Sequence, residues 1–274
     1  MTAIYKGMSR DELNAAYNNS LAVTNSSELM AGFDVLSAKT RAMPAAQIGL
    51  RYGPLERNVI DYFPATNPGP VVVFIHGGYW QARAKENFSF LANGLLTHGI
   101  HVAMVGYTLA PDASLAQIVD EVRTSIHWLS AHATNFGGDS ERMLISGWSA
   151  GAHLTAMCME HPGVIGGLAI SGIYDLEPMR LCYINDKLAL NEDDVRLLSP
   201  IRLRPSPKPM VIAFGESELP ELQAQSQAFF AARQAAGLPG QLLPIAGLNH
   251  FTILPEMARP DGVLALACKQ LSLL

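Results

Sequence analysis

The chain has 274 residues, 49% of them hydrophobic and 16% charged, and a net charge of −5. That is ample apolar material for one large domain, and with no lysine or arginine cluster to hold a phosphate backbone, nucleic acid is excluded as an expected partner. Met1 to Asn25 lacks the basic start and apolar block of a secretory signal, no apolar run reaches the ~18 residues of a membrane span, and Cys158, Cys182 and Cys268 fit neither a disulfide frame nor a C-x-x-C metal pattern, so a cytoplasmic protein with buried thiols is expected.

In chain order, residues 1–45 are mostly polar and helix-compatible, with a short apolar phase at Leu29, Met30, Phe33 and Leu36. They predict an N-terminal arm packing on the body, which spans 46–274. Gln47 to Arg51 and Asn58 to Phe63 predict two short strands around a turn at Tyr52-Gly53-Pro54. Val71 to Ile75 has no polar residue, as a strand buried on both faces of a parallel sheet should. Strands and helices then alternate. Gln81 to His98 predicts a helix ending at Gly99, Ile100 to Val105 a strand, and Ser114 to Ala133 a helix with Ser114 as its N-cap. A strand at Met143 to Ser146 leads to a helix over Ala150 to Glu160, and Val164 to Ser171 is the next strand. Asp175 to Pro209 breaks the rhythm with scattered charges and five prolines. Its length predicts an insertion over 175–209, a lid or pocket wall above the sheet edge. Met210 to Phe214 resumes as a strand, Pro220 to Ala236 as a helix and Gln241 to Ile245 as the last strand, with a closing helix near Gly262 to Leu273. The fold class is α/β: a single domain on a mostly parallel, doubly wound sheet with helices on both faces.

Gly147-Trp148-Ser149-Ala150-Gly151 sits between a predicted strand and a predicted helix. G-x-S-x-G in that context is a sharp turn that lifts a serine hydroxyl above the carboxyl edge of the sheet. Gly147 and Gly151 allow strand and helix to approach closely around it. The base must reach Ser149 from a loop after the last strand, and of eight histidines only His250 lies there. His153 sits one turn along the helix leading away and reads as a packing residue. The acid must follow the strand ending at Phe214, where Glu216, Glu218 and Glu221 compete. Glu218 lies far enough along the loop to turn back toward the histidine, Glu216 is the runner-up, and Glu221 suits the start of the next helix. An oxyanion hole needs converging backbone N–H groups. His76-Gly77-Gly78-Tyr79-Trp80 follows the buried strand directly and can present the amides of Gly78 and Tyr79, with that of Ala150 completing the set. His76 then reads as structural. Trp80, Trp148 and Gly77 are expected around the substrate, with large rings leaving a small acyl pocket.

Ser149, Glu218 and His250 in this order, with an HGG loop ahead of them, resemble the α/β-hydrolase fold, in particular its hormone-sensitive-lipase-like branch. That branch carries HGGG; here Tyr79 replaces the third glycine, and HGGYW resembles the kynurenine formamidase (arylformamidase) and esterase group. Tyr52-Gly53, Asn135-Phe136-Gly137-Gly138-Asp139, Ser171-Gly172-Ile173-Tyr174-Asp175-Leu176 and Leu198-Ser199-Pro200 resemble the same group. Glu218 departs from the Asp of many relatives, while Pro220-Glu221 resembles the stretch that follows that Asp.

The resemblance implies a serine hydrolase that cleaves a small-acyl amide or ester through an acyl-enzyme. N-formylkynurenine is the leading substrate, and a small-acyl carboxylesterase or another amidase is the alternative. The reaction calls for no metal, nucleotide or flavin cofactor, and no motif for one is found. The expected partner is a small-molecule substrate. A homodimer fits this kind of protein, though no stretch of the sequence specifies one.

Overall fold

A computed structural model describes residues 3–274; the first two positions of the predicted arm lie outside them. Eight strands form one sheet: β1 Gln47–Arg51, β2 Val59–Phe63, β3 Gly69–Ile75, β4 His101–Val105, β5 Gly138–Trp148, β6 Val164–Ile170, β7 Met210–Gly215 and β8 Gly240–Ile245. Their spatial order is β1-β2-β4-β3-β5-β6-β7-β8. β2 is antiparallel to both of its neighbours, and every pairing from β4 onward is parallel. This is the mostly parallel, doubly wound sheet that the alternation of elements predicted. No described helix is long and apolar enough to cross a membrane.

The sheet is covered on both faces because β3 and the Val102–Val105 stretch of β4, at its centre, carry no polar side chain. Val71, Val73 and Ile75 of β3 enter one core cluster, whereas Val72 and Phe74 enter the other. The same alternation divides Ala103 and Val105 from Val102 and Met104 on β4. Side chains of successive strand residues point to opposite faces, so an unbroken apolar run demands helices on both sides. Fully burying one such side chain stabilises the fold by roughly 1.5–3 kcal/mol.

The helices are α1 Arg10–Ala16, α2 Asn19–Ala22, α3 Ser26–Arg41, α4 Ala92–Leu96, α5 Leu115–His132, α6 Ala150–Met157, α7 Glu177–Leu181, α8 Asn185–Leu188, α9 Glu192–Leu198, α10 Pro220–Ala235, α11 Pro255–Ala258 and α12 Val263–Leu271. Ser114 caps α5 reciprocally with Gln117. The long helix predicted over Gln81 to His98 is not formed. Arg83 has a φ of +75°, which no helix accommodates, and the chain continues as a 3-10 stretch, Lys85–Leu91, before α4. Tertiary demand explains the departure. Lys85 is directed at the buried Asp61 carboxylate, 2.8 Å away, and Arg41 reaches the same carboxylate at 3.0 Å. A charge without solvent must be paired, and that outweighs helix propensity.

The segment before the sheet is a strap rather than a simple cover. Leu13 of α1 and Tyr17 belong to one core cluster, whereas Met30 and Phe33 of α3 belong to the other. The chain therefore crosses from one face of the sheet to the other, with α2 at the crossing. The 175–209 segment folds as α7, α8, α9 and a 3-10 turn. Met179, Cys182, Ile184 and Val195 sink it into the first cluster.

Candidate active site

β5 ends at Trp148, and Ser149 follows with φ +57° and ψ −118°. That backbone is unfavourable for a residue with a Cβ and costs on the order of 1–3 kcal/mol. The packing around it imposes the conformation. A Cβ on Gly151 would stand 2.0 Å from the Ile75 carbonyl oxygen, and one on Gly147 would stand 2.2 Å from that of Gly151. Strand and helix thus pass in backbone contact, leaving the serine nowhere to relax. The Ser149 amide is itself occupied, donating to the Ile170 carbonyl at 2.8 Å.

His250 lies in the loop after β8. Asn249 shapes that loop, its side-chain oxygen accepting from the amides of Phe251 and Thr252, both at 3.0 Å. Trp148 fixes it from below, its indole N–H donating to the His250 carbonyl at 2.8 Å and its ring lying 4.7 Å from the imidazole. His250 Nδ1–H donates to Glu218 Oε2 at 3.0 Å. With the proton on Nδ1, Nε2 carries the lone pair. The Ser149 hydroxyl and Nε2 have no hydrogen-bond partner among the described residues; Ser149 and His250 line one cavity of about 130 Å³.

The structure brings Glu218, not Glu216 or Glu221, to the imidazole. Its side chain is 0% exposed. The second carboxylate oxygen accepts from the Gly215 amide and from the Ser171 hydroxyl, both at 2.6 Å. Three donors converge on two oxygens, which compensates for the loss of water around a buried anion. Glu216 is exposed to solvent. Glu221 lies in the first turn of α10 and pairs with Lys6 at 3.3 Å.

The loop after β3 curls back on itself: the amides of Gln81 and Ala82 both donate to the Gly78 carbonyl, at 3.0 and 3.1 Å. Gly78 has φ +112°, Tyr79 +51° and Trp80 +59°. Among the described residues the amides of Gly78, Tyr79 and Ala150 have no acceptor, and Gly78 and Tyr79 line the cavity with Ser149. Such amides suit an oxyanion. Tyr79 is held in its strained conformation through its hydroxyl, which donates to the Tyr17 carbonyl at 2.5 Å and accepts from Asn19 Nδ2 at 3.1 Å. His76 is buried, stacks on Tyr107 at 4.3 Å and donates from Nδ1 to the Gly77 carbonyl at 2.8 Å. Burial holds its pKa down to about 3, so the ring stays neutral. His153 is likewise a packing residue. It donates to the Leu198 carbonyl at 2.7 Å, and burial lowers its pKa to about 4.

Two expectations for the substrate wall need correction. Trp80 is 0% exposed, turns into the core and meets His153 edge-on at 5.0 Å, so it does not line the cavity. The positive φ at Trp80, which spacing alone does not reveal, turns its side chain inward. Gly77 is also buried beneath the surface. A Cβ there would stand 2.7 Å from the Trp148 ring and 3.0 Å from Ser149 Cβ, so glycine is required for the loop to lie against Ser149. Trp148 does line the cavity, together with Phe251.

The wall expected from 175–209 comes instead from the strap, through Asn19 and Ser20. The 175–209 segment acts one layer out, its Ile184 carbonyl accepting from the Gln81 side chain at 2.6 Å. Spacing in the sequence does not point to Ser171 beside the acid or to Asn19 and Arg83 in the cavity lining, where the structure has them. Ser171 offered one signal, a small polar residue closing an apolar strand beside the one that leads to the acid.

Comparison with known proteins agrees with this architecture. The BD-FAE family model matches residues 62–161. The chain is 29% identical to a kynurenine formamidase of Danio rerio, over 95% of each chain, and 29% identical to one of Drosophila melanogaster, over 78% of this chain and 77% of that one. Among solved structures, a thioesterase candidate from Silicibacter sp. TM1040 superposes with a TM-score of 0.84 at 25% identity, covering 93% of this chain and 98% of that one. A thermophilic carboxylesterase from a metagenomic library shares the fold at a TM-score of 0.73 and 16% identity, covering 98% and 99%.

Proposed function

We propose that this α/β-hydrolase, similar along its length to kynurenine formamidases, removes a small acyl group from an aryl amine or phenol through an acyl-enzyme on Ser149, with N-formylkynurenine as substrate and kynurenine and formate as products. It is an enzyme of arylformamidase or esterase type. The observation that carries the reading is the buried Glu218–His250 pair, 3.0 Å apart, opening with Ser149 onto one small cavity beside the Gly78–Tyr79 loop.

In this reading Ser149 Oγ attacks the carbonyl carbon as His250 Nε2 takes its proton. Glu218 holds the imidazole tautomer and stabilises the imidazolium. The amides of Gly78, Tyr79 and Ala150 receive the oxyanion, each worth ~3 kcal/mol in the transition state. His250 then protonates the leaving nitrogen or oxygen, and a water releases the acyl group by the same route in reverse. An aryl amine is a weak base and leaves more readily than an alkyl amine, so machinery of the ester-cleaving kind suffices for a formanilide. The bulk of Trp148 and Phe251 around a cavity of about 130 Å³ favours formyl or acetyl over longer acyl chains. The three cysteines are free and buried, which suits a reducing compartment such as the cytoplasm.

The alternative, a small-acyl carboxylesterase, uses the same residues. Matches to isoprenylcysteine alpha-carbonyl methylesterases of Oryza sativa and Arabidopsis thaliana support ester cleavage on such machinery, without bearing on the size of the acyl group. Adding N-formyl-L-kynurenine and following the absorbance of kynurenine separates the two. Saturable hydrolysis is expected; turnover of p-nitrophenyl acetate with none of N-formylkynurenine would move the assignment to the esterase. In both cases kcat/KM for p-nitrophenyl acetate should exceed that for the octanoate by tenfold or more, since the rings of Trp148 and Phe251 crowd the space beside Ser149 that six further methylenes would need. A preference for octanoate would contradict the small acyl pocket.

A further inference from the structure

We infer that Arg83 is an anion-binding residue at the mouth of the active-site cavity, and that it selects substrates whose leaving group carries a carboxylate. Arg83 lines the same cavity as Ser149 and His250. Its stem lies across the oxyanion loop: Arg83 Cγ would stand 2.9 Å from a Cβ placed on Gly78. Its side chain thus lies over the oxyanion loop, on the rim of the cavity that Ser149 and His250 line.

The backbone that presents it is fixed. Arg83 holds φ +75°, and its carbonyl accepts from Arg57 Nη2 at 2.7 Å. Arg57 is anchored in turn, its Nε donating to the Tyr107 carbonyl at 2.8 Å. A non-glycine residue kept at positive φ by a second arginine is held there by its surroundings at a cost. The charge it presents is unspent. Among the described residues the Arg83 side chain has no salt bridge or hydrogen bond, whereas the neighbouring acid Glu86 is occupied by Lys85 at 2.5 Å. The cavity lining includes no carboxylate, and Glu218 is shielded behind His250 with its oxygens already satisfied.

A planar, permanently charged fork of donors in a cavity without anions is complementary to a carboxylate, which it can bind through two parallel hydrogen bonds. Asn19 and Ser20 at the same mouth are neutral and leave the sign of the site positive. The inference rests on the serine-hydrolase reading for the position of the reacting bond, and it narrows the substrate to acyl derivatives of aryl amines or phenols that carry a carboxylate. N-formylkynurenine, with its amino-acid carboxylate, is one of them.

The test compares substrates that differ only in charge: N-formyl-L-kynurenine against its carboxamide, and 3-carboxyphenyl acetate against phenyl acetate. The wild type should prefer the carboxylate-bearing member of each pair. Arg83→Gln should lower that preference by about tenfold to a hundredfold, the worth of hydrogen bonds to a charged group, chiefly through KM. Arg83→Lys should recover part of it. Equal ratios in wild type and Arg83→Gln, or no preference in the wild type, would overturn the assignment. If neither formamide is cleaved, the acetate pair still reads Arg83 while the formamidase reading falls. A measurement without turnover covers the remaining case: 3-hydroxybenzoate binding to the Ser149→Ala protein, by calorimetry, should weaken by a similar factor when Arg83→Gln is added. Undiminished binding, or none to either protein, would refute the anion site whatever the chemistry.

Discussion

Ser149→Ala should lower kcat by about five to six orders of magnitude on any substrate the enzyme turns over, because removing the nucleophile of such a unit disables it as a whole. The fold should survive. Ala retains the Cβ that already occupies the strained position at φ +57°, and the removed hydroxyl has no hydrogen-bond partner among the described residues. The thermal midpoint should therefore stay close to that of the wild type, so the loss cannot be ascribed to unfolding. Residual activity within a hundredfold of the wild type would place the nucleophile elsewhere.

Glu218→Gln should lower kcat by about four orders of magnitude, for a reason that the hydrogen bonds specify. Gly215 N–H and Ser171 O–H both donate to Oε1, so a glutamine will turn its carbonyl oxygen toward them and its NH₂ toward His250. Nδ1 must then accept, the ring proton moves to Nε2, and the imidazole can no longer take a proton from Ser149. Glu216→Gln, on an exposed side chain, should stay within about twofold, as surface changes away from a site do. Steady-state kinetics on p-nitrophenyl acetate measures both. The reverse ranking would reassign the acid.

The fold was legible in the sequence wherever one physical signal dominated. Val71 to Ile75 and Met210 to Phe214 are short runs that are apolar at every position and, in the first, rich in β-branched residues, which fits a strand between two helical layers. The Gly147–Gly151 turn declared itself because two glycines and a serine between strand and helix have one compact solution. The loop before α4 was not legible. A helix was expected there, but Lys85 reaches Asp61 and Arg83 takes a positive φ with its carbonyl held by Arg57, and these partners lie far away in the chain. Trp80 was misplaced for the same kind of reason: a backbone angle, not a composition, decides whether its ring faces the cavity or the core. The contribution of Asn19 and Ser20 was hidden because a strap that changes faces of a sheet leaves no period in its sequence. Glu218 stood out from Glu216 by loop length and by the resemblance of Pro220-Glu221, while the Ser171 and Gly215 donors that surround it come from the ends of two different strands.

The most direct test of the central claim is the intact mass of the protein after exposure to a fluorophosphonate, followed by peptide mapping. On the proposed assignment Ser149 should take up one phosphonyl group stoichiometrically, and the Ser149→Ala protein should take up none. An unmodified wild-type protein, or an adduct on any other residue, would contradict the account.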